Sequence, residues 1–180
     1  MIQLLKTVST SLNETMLNLN EVVNIQTNVG LIQEKLNLNE IIKNTLQVLS
    51  QQIKEKEIIV QNNIDANTII NYNPAYLESI LYNLFSNAIR YSSPERKPMF
   101  SISLLQDGEN KILQITDNGI GIDLEQNGNK IFGMYKTFTN HKDSKGIGLF
   151  ITKNQIEAMG GTVMIESELN QGTTFKIIII

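Results

Sequence analysis

Residues 83–91 read Asn-Leu-Phe-Ser-Asn-Ala-Ile-Arg-Tyr, and on a helix they divide cleanly into a polar and an apolar side. Asn83 and Asn87 are four apart and Arg90 follows three later, so the three project together, while Leu77, Ile80, Leu84, Phe85 and Ala88 turn to the opposite face. Asn73 followed by Pro74 is a favoured helix start, and Ser92, Ser93 and Pro94 stop it, which predicts one helix over 74–91. Two stacked amides and a guanidinium suit a metal ion and phosphate oxygens, because amide carbonyls are hard oxygen ligands and Arg carries fixed positive charge. The same strip also suits a plain solvated helix face, since Asn is common throughout this chain. Glu78 lies five residues before Asn83 and reads as a surface residue.

Toward the C-terminus, residues 99–105 and 111–116 read as strands joined by the Asp107–Gly108 turn. The stretch 117–145 is glycine-rich and lacks a strong period, which in a compact domain points to a functional loop or lid. A helix is predicted over 148–159, stopped by Gly160 and Gly161, then strands over 162–167 and 173–180 separated by a turn at 170–172.

Toward the N-terminus there are short β-type runs at 58–61 and 68–70. Before them Asn39 is placed to cap a helix with a buried stripe of Ile41, Ile42, Leu46, Leu49 and Ile53. Residues 28–37, with Gly30, read as a linker. Residues 4–26 hold no Pro or Gly, and Leu5, Val8, Leu12, Leu19 and Val22 recur at helical steps, predicting a long amphipathic helix of roughly 35 Å. Its seam needs a partner: a second copy, giving a dimer, or the rest of the chain. The order of elements has too few strand-helix-strand alternations for a fully parallel sheet. The expectation is an α+β domain with a mixed sheet covered on one face by helices.

Composition narrows the function. The chain has 180 residues, 41% apolar and 18% charged, as in a globular domain rather than a disordered one. Fifteen Lys plus Arg against eighteen Asp plus Glu leave a net charge of −3, with no basic excess to attract a nucleic-acid backbone. With no Cys and a single His there are no disulfides, thiolate nucleophiles or imidazole clusters, which fits a reducing, cytoplasmic setting. No apolar run approaches the roughly 20 residues that span a bilayer, and no membrane contact is expected of these residues.

Beyond the amide strip, three short motifs carry chemistry. Asp117-Asn118-Gly119-Ile120-Gly121 follows a strand, where an aspartate can accept from a buried amine and glycines let the backbone approach a flat ligand. Gly146-Ile147-Gly148-Leu149 opens a helix, whose first N–H groups favour an anion. Gly172-Thr173-Thr174-Phe175 opens the last strand. Each alone is also an ordinary turn.

Taken in order, these segments resemble the motifs of sensor histidine kinases over about residues 36–180. Residues 83–91 resemble the N box, 117–121 the first glycine box, Ile131 and Phe132 the F box, 146–149 the second glycine box and 172–175 the last. The resemblance implies the Bergerat ATP-binding fold, a two-layer α/β sandwich with a mixed sheet and a lid over the nucleotide. It implies the ATP-binding catalytic portion of a two-component sensor kinase, passing the γ-phosphoryl group of ATP to a histidine, from which a response regulator receiver domain takes it.

By that resemblance Asp117 would accept a hydrogen bond from the adenine amino group, with Gly119 and Gly121 shaping the base pocket. Asn87 would coordinate Mg²⁺ bridging the phosphates, Asn83 would support it, and Arg90 stands where the family usually has Lys. Tyr91, Phe132, Lys145, Gly146, Gly148, Leu149 and Thr173 would complete the nucleotide contacts. Hydrolytic relatives carry a Glu where Asn83 stands, and an amide cannot act as a general base, so transfer is favoured over hydrolysis.

Some positions depart from the family pattern. Gly133, Met134, Tyr135 and Lys136 follow Phe132 in place of an arginine and further aromatics, and Lys142 and Lys145 read equally as phosphate contacts or solvated lysines. His141, the chain's one histidine, lacks the acidic and proline neighbours of a phosphoacceptor and reads as a loop residue. Residues 4–28 resemble the second dimerisation helix of the family. The expected organisation is therefore a helix over 1–30 that forms a homodimer and a catalytic domain over 31–180, with the acceptor histidine on a helix outside this chain. Two alternatives are a catalytically silent nucleotide-binding dimer module and another Bergerat ATPase or anti-sigma-type serine kinase. Asn83 argues against hydrolysis, and the long first helix argues against the compact anti-sigma kinase.

Overall fold

Asn73 and Pro74 open the helix Pro74–Arg90 as their chemistry requires: the Asn73 side chain accepts the Tyr76 N–H at 3.0 Å, and Pro74 takes a position where no intrahelical N–H is missed. A computed structural model of the protein describes residues 32–108, 110–128, 131–133 and 147–180. In chain order the elements are β1 (Glu34–Asn37), α1 (Leu38–Val48), α2 (Ser50–Glu55), β2 (Ile59–Asn62), β3 (Ile69–Tyr72), α3 (Pro74–Arg90), β4 (Met99–Asp107), β5 (Asn110–Asp117), α4 (Leu124–Asn127), α5 (Gly148–Ala158), β6 (Thr162–Glu168) and β7 (Gly172–Ile179).

Five strands form one sheet in the order β2-β4-β5-β7-β6, and β1 pairs with β3 in a separate two-stranded ribbon. Only β2 and β4 run parallel, and their connection passes through α3, the kind of crossover a parallel pair needs. The other neighbours are antiparallel. Alternation along the strands sets the layers. Phe100 and Ile102 of β4, Leu113 and Ile115 of β5, and Phe175 and Ile177 of β7 are buried, while the intervening Ser101, Gln114, Thr116, Thr174 and Lys176 are half-buried on the other face.

The helices cover the apolar face. α3 lies between α1 and α5 and buries Leu77, Ile80, Leu81, Leu84, Phe85, Ala88 and Ile89. Phe85 meets Phe100 of the sheet with ring centroids 5.4 Å apart, tying the two layers at their centre. Such a tilted aromatic pair adds about 0.5–1.5 kcal/mol beyond the area it buries. This is the α+β two-layer sandwich with a mixed sheet that the sequence predicts.

Four local expectations are corrected. Residues 34–37, read as linker, form β1, because their partner β3 is supplied from beyond β2 and no local pattern announces it. Asn37 rather than Asn39 caps α1, accepting the Glu40 N–H at 3.1 Å. Asn39 lies buried in the first turn and donates to the Ile64 carbonyl. The predicted stripe is only partly buried. Ile42 and Leu49 are in the core and Ile41, Leu46 and Ile53 are half-buried, while Thr45 takes a core place by returning its hydroxyl to the Ile41 carbonyl at 2.9 Å. Finally, a short helix α4, capped by Asp123, interrupts the stretch read as a functional loop or lid without a strong period. Glu78 is exposed, as read from its position. The helix predicted over 4–26 lies outside the described residues.

Candidate functional site

The C-terminal end of α3 is bonded to the corner that follows β5. The Ile120 N–H donates to the Tyr91 carbonyl at 3.0 Å, and Gly119 presses so closely on that carbonyl that a Cβ there would overlap it. Lys56 secures the same end from outside, donating to the Ile89 carbonyl at 2.7 Å, where a helix terminus exposes unpaired acceptors and negative dipole. Two of the four motifs are thereby fixed against each other.

Gly121, with φ of +68°, fits against the Glu168 carbonyl where no side chain could enter. The corner is stitched to the β6–β7 turn by Asn170 N–H to the Ile120 carbonyl at 2.8 Å and by Ile122 N–H to Ser167 Oγ at 2.8 Å. Asn118 braces it from the other side, accepting the Met99 N–H at 2.9 Å and donating to the Lys97 carbonyl at 3.0 Å. Arg96 adds a donor to the Asn170 carbonyl.

At the centre of this corner is Asp117. Its side chain accepts the Gly119 N–H at 2.8 Å and the backbone N–H of Thr173, its register partner on β7. Burial pushes its carboxyl up to about 6 from an ordinary 3.8, and the two backbone N–H donors offset part of that rise by favouring the anion. A carboxylate held this way and partly desolvated is a strong acceptor for a neutral amine. Perturbed carboxyls of this kind concentrate at functional sites.

The fourth motif arrives through α5. Gly148 sits against the Asn83 carboxamide, in space that a Cβ would need, and Asn83 Nδ2 donates to Thr152 Oγ1 at 2.7 Å. One turn earlier on α3, Ser79 receives Gln155 Nε2 at 3.0 Å, so a ladder of polar contacts joins the two helices. The donor end of Asn83 is committed to holding α5. Among the described residues no side chain caps the N-terminus of α5, whose first residue is Gly148, and the leading N–H groups of a helix favour an anion.

Asn87 is half-buried one turn beyond Asn83, Arg90 is exposed, and Tyr91 and Leu149 are half-buried. The Phe132 ring lies beneath Lys153 of α5, whose Nζ is 5.8 Å from its centroid. Lys145 and Gly146 lie outside the described residues, as do Lys136, His141 and Lys142. Among the described residues no cluster of three or more His, Cys, Asp or Glu could hold a metal ion by itself. The single amide carbonyl of Asn87 fits a Mg²⁺ carried mainly by phosphates and water, the usual mode for that ion.

The contacts thus join Tyr91 to Gly119, Asp117 to Thr173 and Asn83 to Gly148. Sequence reading missed Asn118, Ser167, Thr152, Lys153 and Lys56, each of which acts on a partner distant in the chain. Only Ser167, near the end of β6 and before a turn, had a local position to suggest a role.

The profile of the family described as histidine kinase-, DNA gyrase B-, and HSP90-like ATPase matches residues 72–180. The heme sensor protein HssS of Staphylococcus saprophyticus is 33% identical over 144 residues, covering 80% of this chain and 30% of that protein. The sensor histidine kinase ZraS of Escherichia coli is 31% identical over 147 residues, again 80% of this chain and 30% of that protein. The chain therefore spans about 30% of the length of these relatives. Among solved structures, the Acinetobacter baumannii histidine kinase AdeS superposes with a TM-score of 0.80 at 22% identity, covering 98% of this chain and 81% of that one, which is a likeness of fold.

Proposed function

Since the chain belongs to the histidine kinase-, DNA gyrase B-, and HSP90-like ATPase family, we propose that it is the ATP-binding catalytic portion of a two-component sensor histidine kinase. The observation that supports this most is the joining of the amide helix α3 to the Asp117 corner at Tyr91 and to α5 at Asn83. A purine set against Asp117 and Gly119 would have its phosphates directed toward Asn87 and the leading N–H groups of α5.

In this reading Asp117 accepts from the adenine amine, Tyr91 and Thr173 line the base, and Gly148 and Leu149 pass near the phosphates. Asn87 would hold Mg²⁺, which when bound neutralises phosphate charge, and Arg90 adds a fixed cation nearby. By the family resemblance Lys145 and Gly146, which lie outside the described residues, would join these nucleotide contacts. The γ-phosphoryl group leaves ADP and forms a P–N bond to a histidine ring whose proton is released; positioning and charge neutralisation supply most of the rate. Asn83 offers no base for water, which favours transfer over hydrolysis.

The acceptor would be a histidine on a helix of the parent kinase, and a response regulator receiver domain would take the phosphoryl group from it. The N-terminal segment would pair two copies, and the setting would be the cytoplasm. Among the described residues no helix is long and apolar enough to cross a membrane.

The test is to supply the acceptor helix pair of a related kinase in trans with Mg-ATP labelled at the γ position. Acid-labile label on that helix pair is expected. Saturable ATP binding without transfer would replace this reading with a silent nucleotide-binding module.

A further inference from the structure

Asp117 of β5, Thr173 of β7 and Ser167 of β6 are consecutive register partners, so their side chains form one cross-strand row on one face of the sheet. A count of hydrogens assigns a direction to the hydrogen bonds along this row. Ser167 Oγ donates to the Gly172 carbonyl at 2.8 Å, a group that can only accept. Ser167 Oγ also receives the Ile122 N–H at 2.8 Å. A serine hydroxyl has one hydrogen and two lone pairs. Geometry allows either hydroxyl to donate across the 2.9 Å contact between Ser167 Oγ and Thr173 Oγ1, but with the Ser167 hydrogen on Gly172 the donor there is Thr173.

We infer that Ser167 is a positioning residue that fixes the polarity of Thr173, leaving Thr173 Oγ1 an acceptor only, so that with Asp117 it forms a wall selecting a purine with an exocyclic amine. This rests on the proposed nucleotide reading and adds to it a residue that sets base selectivity without touching the base. An amine offers two hydrogens, one for the Asp117 side chain and one for Thr173 Oγ1. A base with a carbonyl oxygen in that place meets two acceptors and no donor. Were Thr173 free to rotate, it could donate to such an oxygen and blunt the discrimination.

The experiment measures calorimetric dissociation constants of Mg-ATP and Mg-ITP, whose base carries a carbonyl in place of the amine. The proteins are the wild-type chain, Ser167→Ala, Thr173→Val and the double variant. Wild type is expected to favour ATP strongly. Ser167→Ala should narrow the ATP-to-ITP ratio by roughly fivefold or more, the worth of one hydrogen bond, chiefly through tighter ITP binding. Thr173→Val should weaken ATP without improving ITP, and in its background Ser167→Ala should leave the ratio unchanged. A purely structural lesion at Ser167 would weaken both nucleotides alike, and an unchanged ratio in Ser167→Ala with ATP still bound by wild type would overturn this inference alone. Failure of wild type to bind ATP would overturn the nucleotide reading itself.

Discussion

The carboxamide of Asn83 and the hydroxyl of Thr152 are 2.7 Å apart, 69 residues away in sequence, and their contact locks α3 to α5 beside Gly148. The amide strip on α3 thus has a structural member, Asn83, with Asn87 half-buried one turn beyond it. Gly148→Ala drives a methyl group into the Asn83 carboxamide and is expected to cost about 1–3 kcal/mol, as overpacking usually does. Thr152→Val, which removes the partner of a part-buried amide, should cost a similar amount. Urea unfolding with an unchanged m-value checks both.

Asp117 makes stability pH-dependent in an unusual sense. Its folded pKa, about 6, lies above the ordinary 3.8. Between those values the native state holds more protons than the unfolded chain, so this group's contribution is full below about 4 and is lost as pH rises through 6. Wild type should therefore lose stability relative to Asp117→Asn between pH 4 and 7 in parallel denaturation series; a gain over that range contradicts the assignment.

The same carboxyl should couple nucleotide binding to protons. If an amine donates to the Asp117 carboxylate, ATP affinity rises from pH 5 to 7 and binding near pH 6 releases protons. Calorimetry in buffers of different ionisation enthalpy reads that release, which Asp117→Asn should abolish.

Much of this fold is legible in the sequence because its signals are local. Asn73–Pro74, the 3.6-residue stripe of α3, the Asp107–Gly108 turn and the alternation of β4, β5 and β7 each act within a few residues. β1 escaped because a four-residue strand with one apolar side chain, Leu36, takes its identity from β3. The cap moved from Asn39 to Asn37 for a related reason: the Leu38 N–H is used by the Thr68 carbonyl, a contact across the chain. In the site, Asp117, Gly119, Gly121 and Gly148 are legible as motifs. Thr152 and Asn118 are not, since each is defined by the distant atom it bonds.

At the centre of the sandwich, Phe85 is fully buried against Phe100. Phe85→Ala should cost about 3–5 kcal/mol and lower the thermal midpoint accordingly. Lys56→Met, by contrast, loses only a donor at the end of α3 and should cost about 0.3–1 kcal/mol.

In the proposed function Asp117 reads the base of a bound ATP. The most direct test is a calorimetric titration of the chain with Mg-ATP at pH 7.5, run beside Asp117→Asn. Saturable binding at one site is expected, with an affinity lower by roughly tenfold or more in the variant, the loss of a buried hydrogen-bond partner. Equal affinity in the two proteins would contradict it.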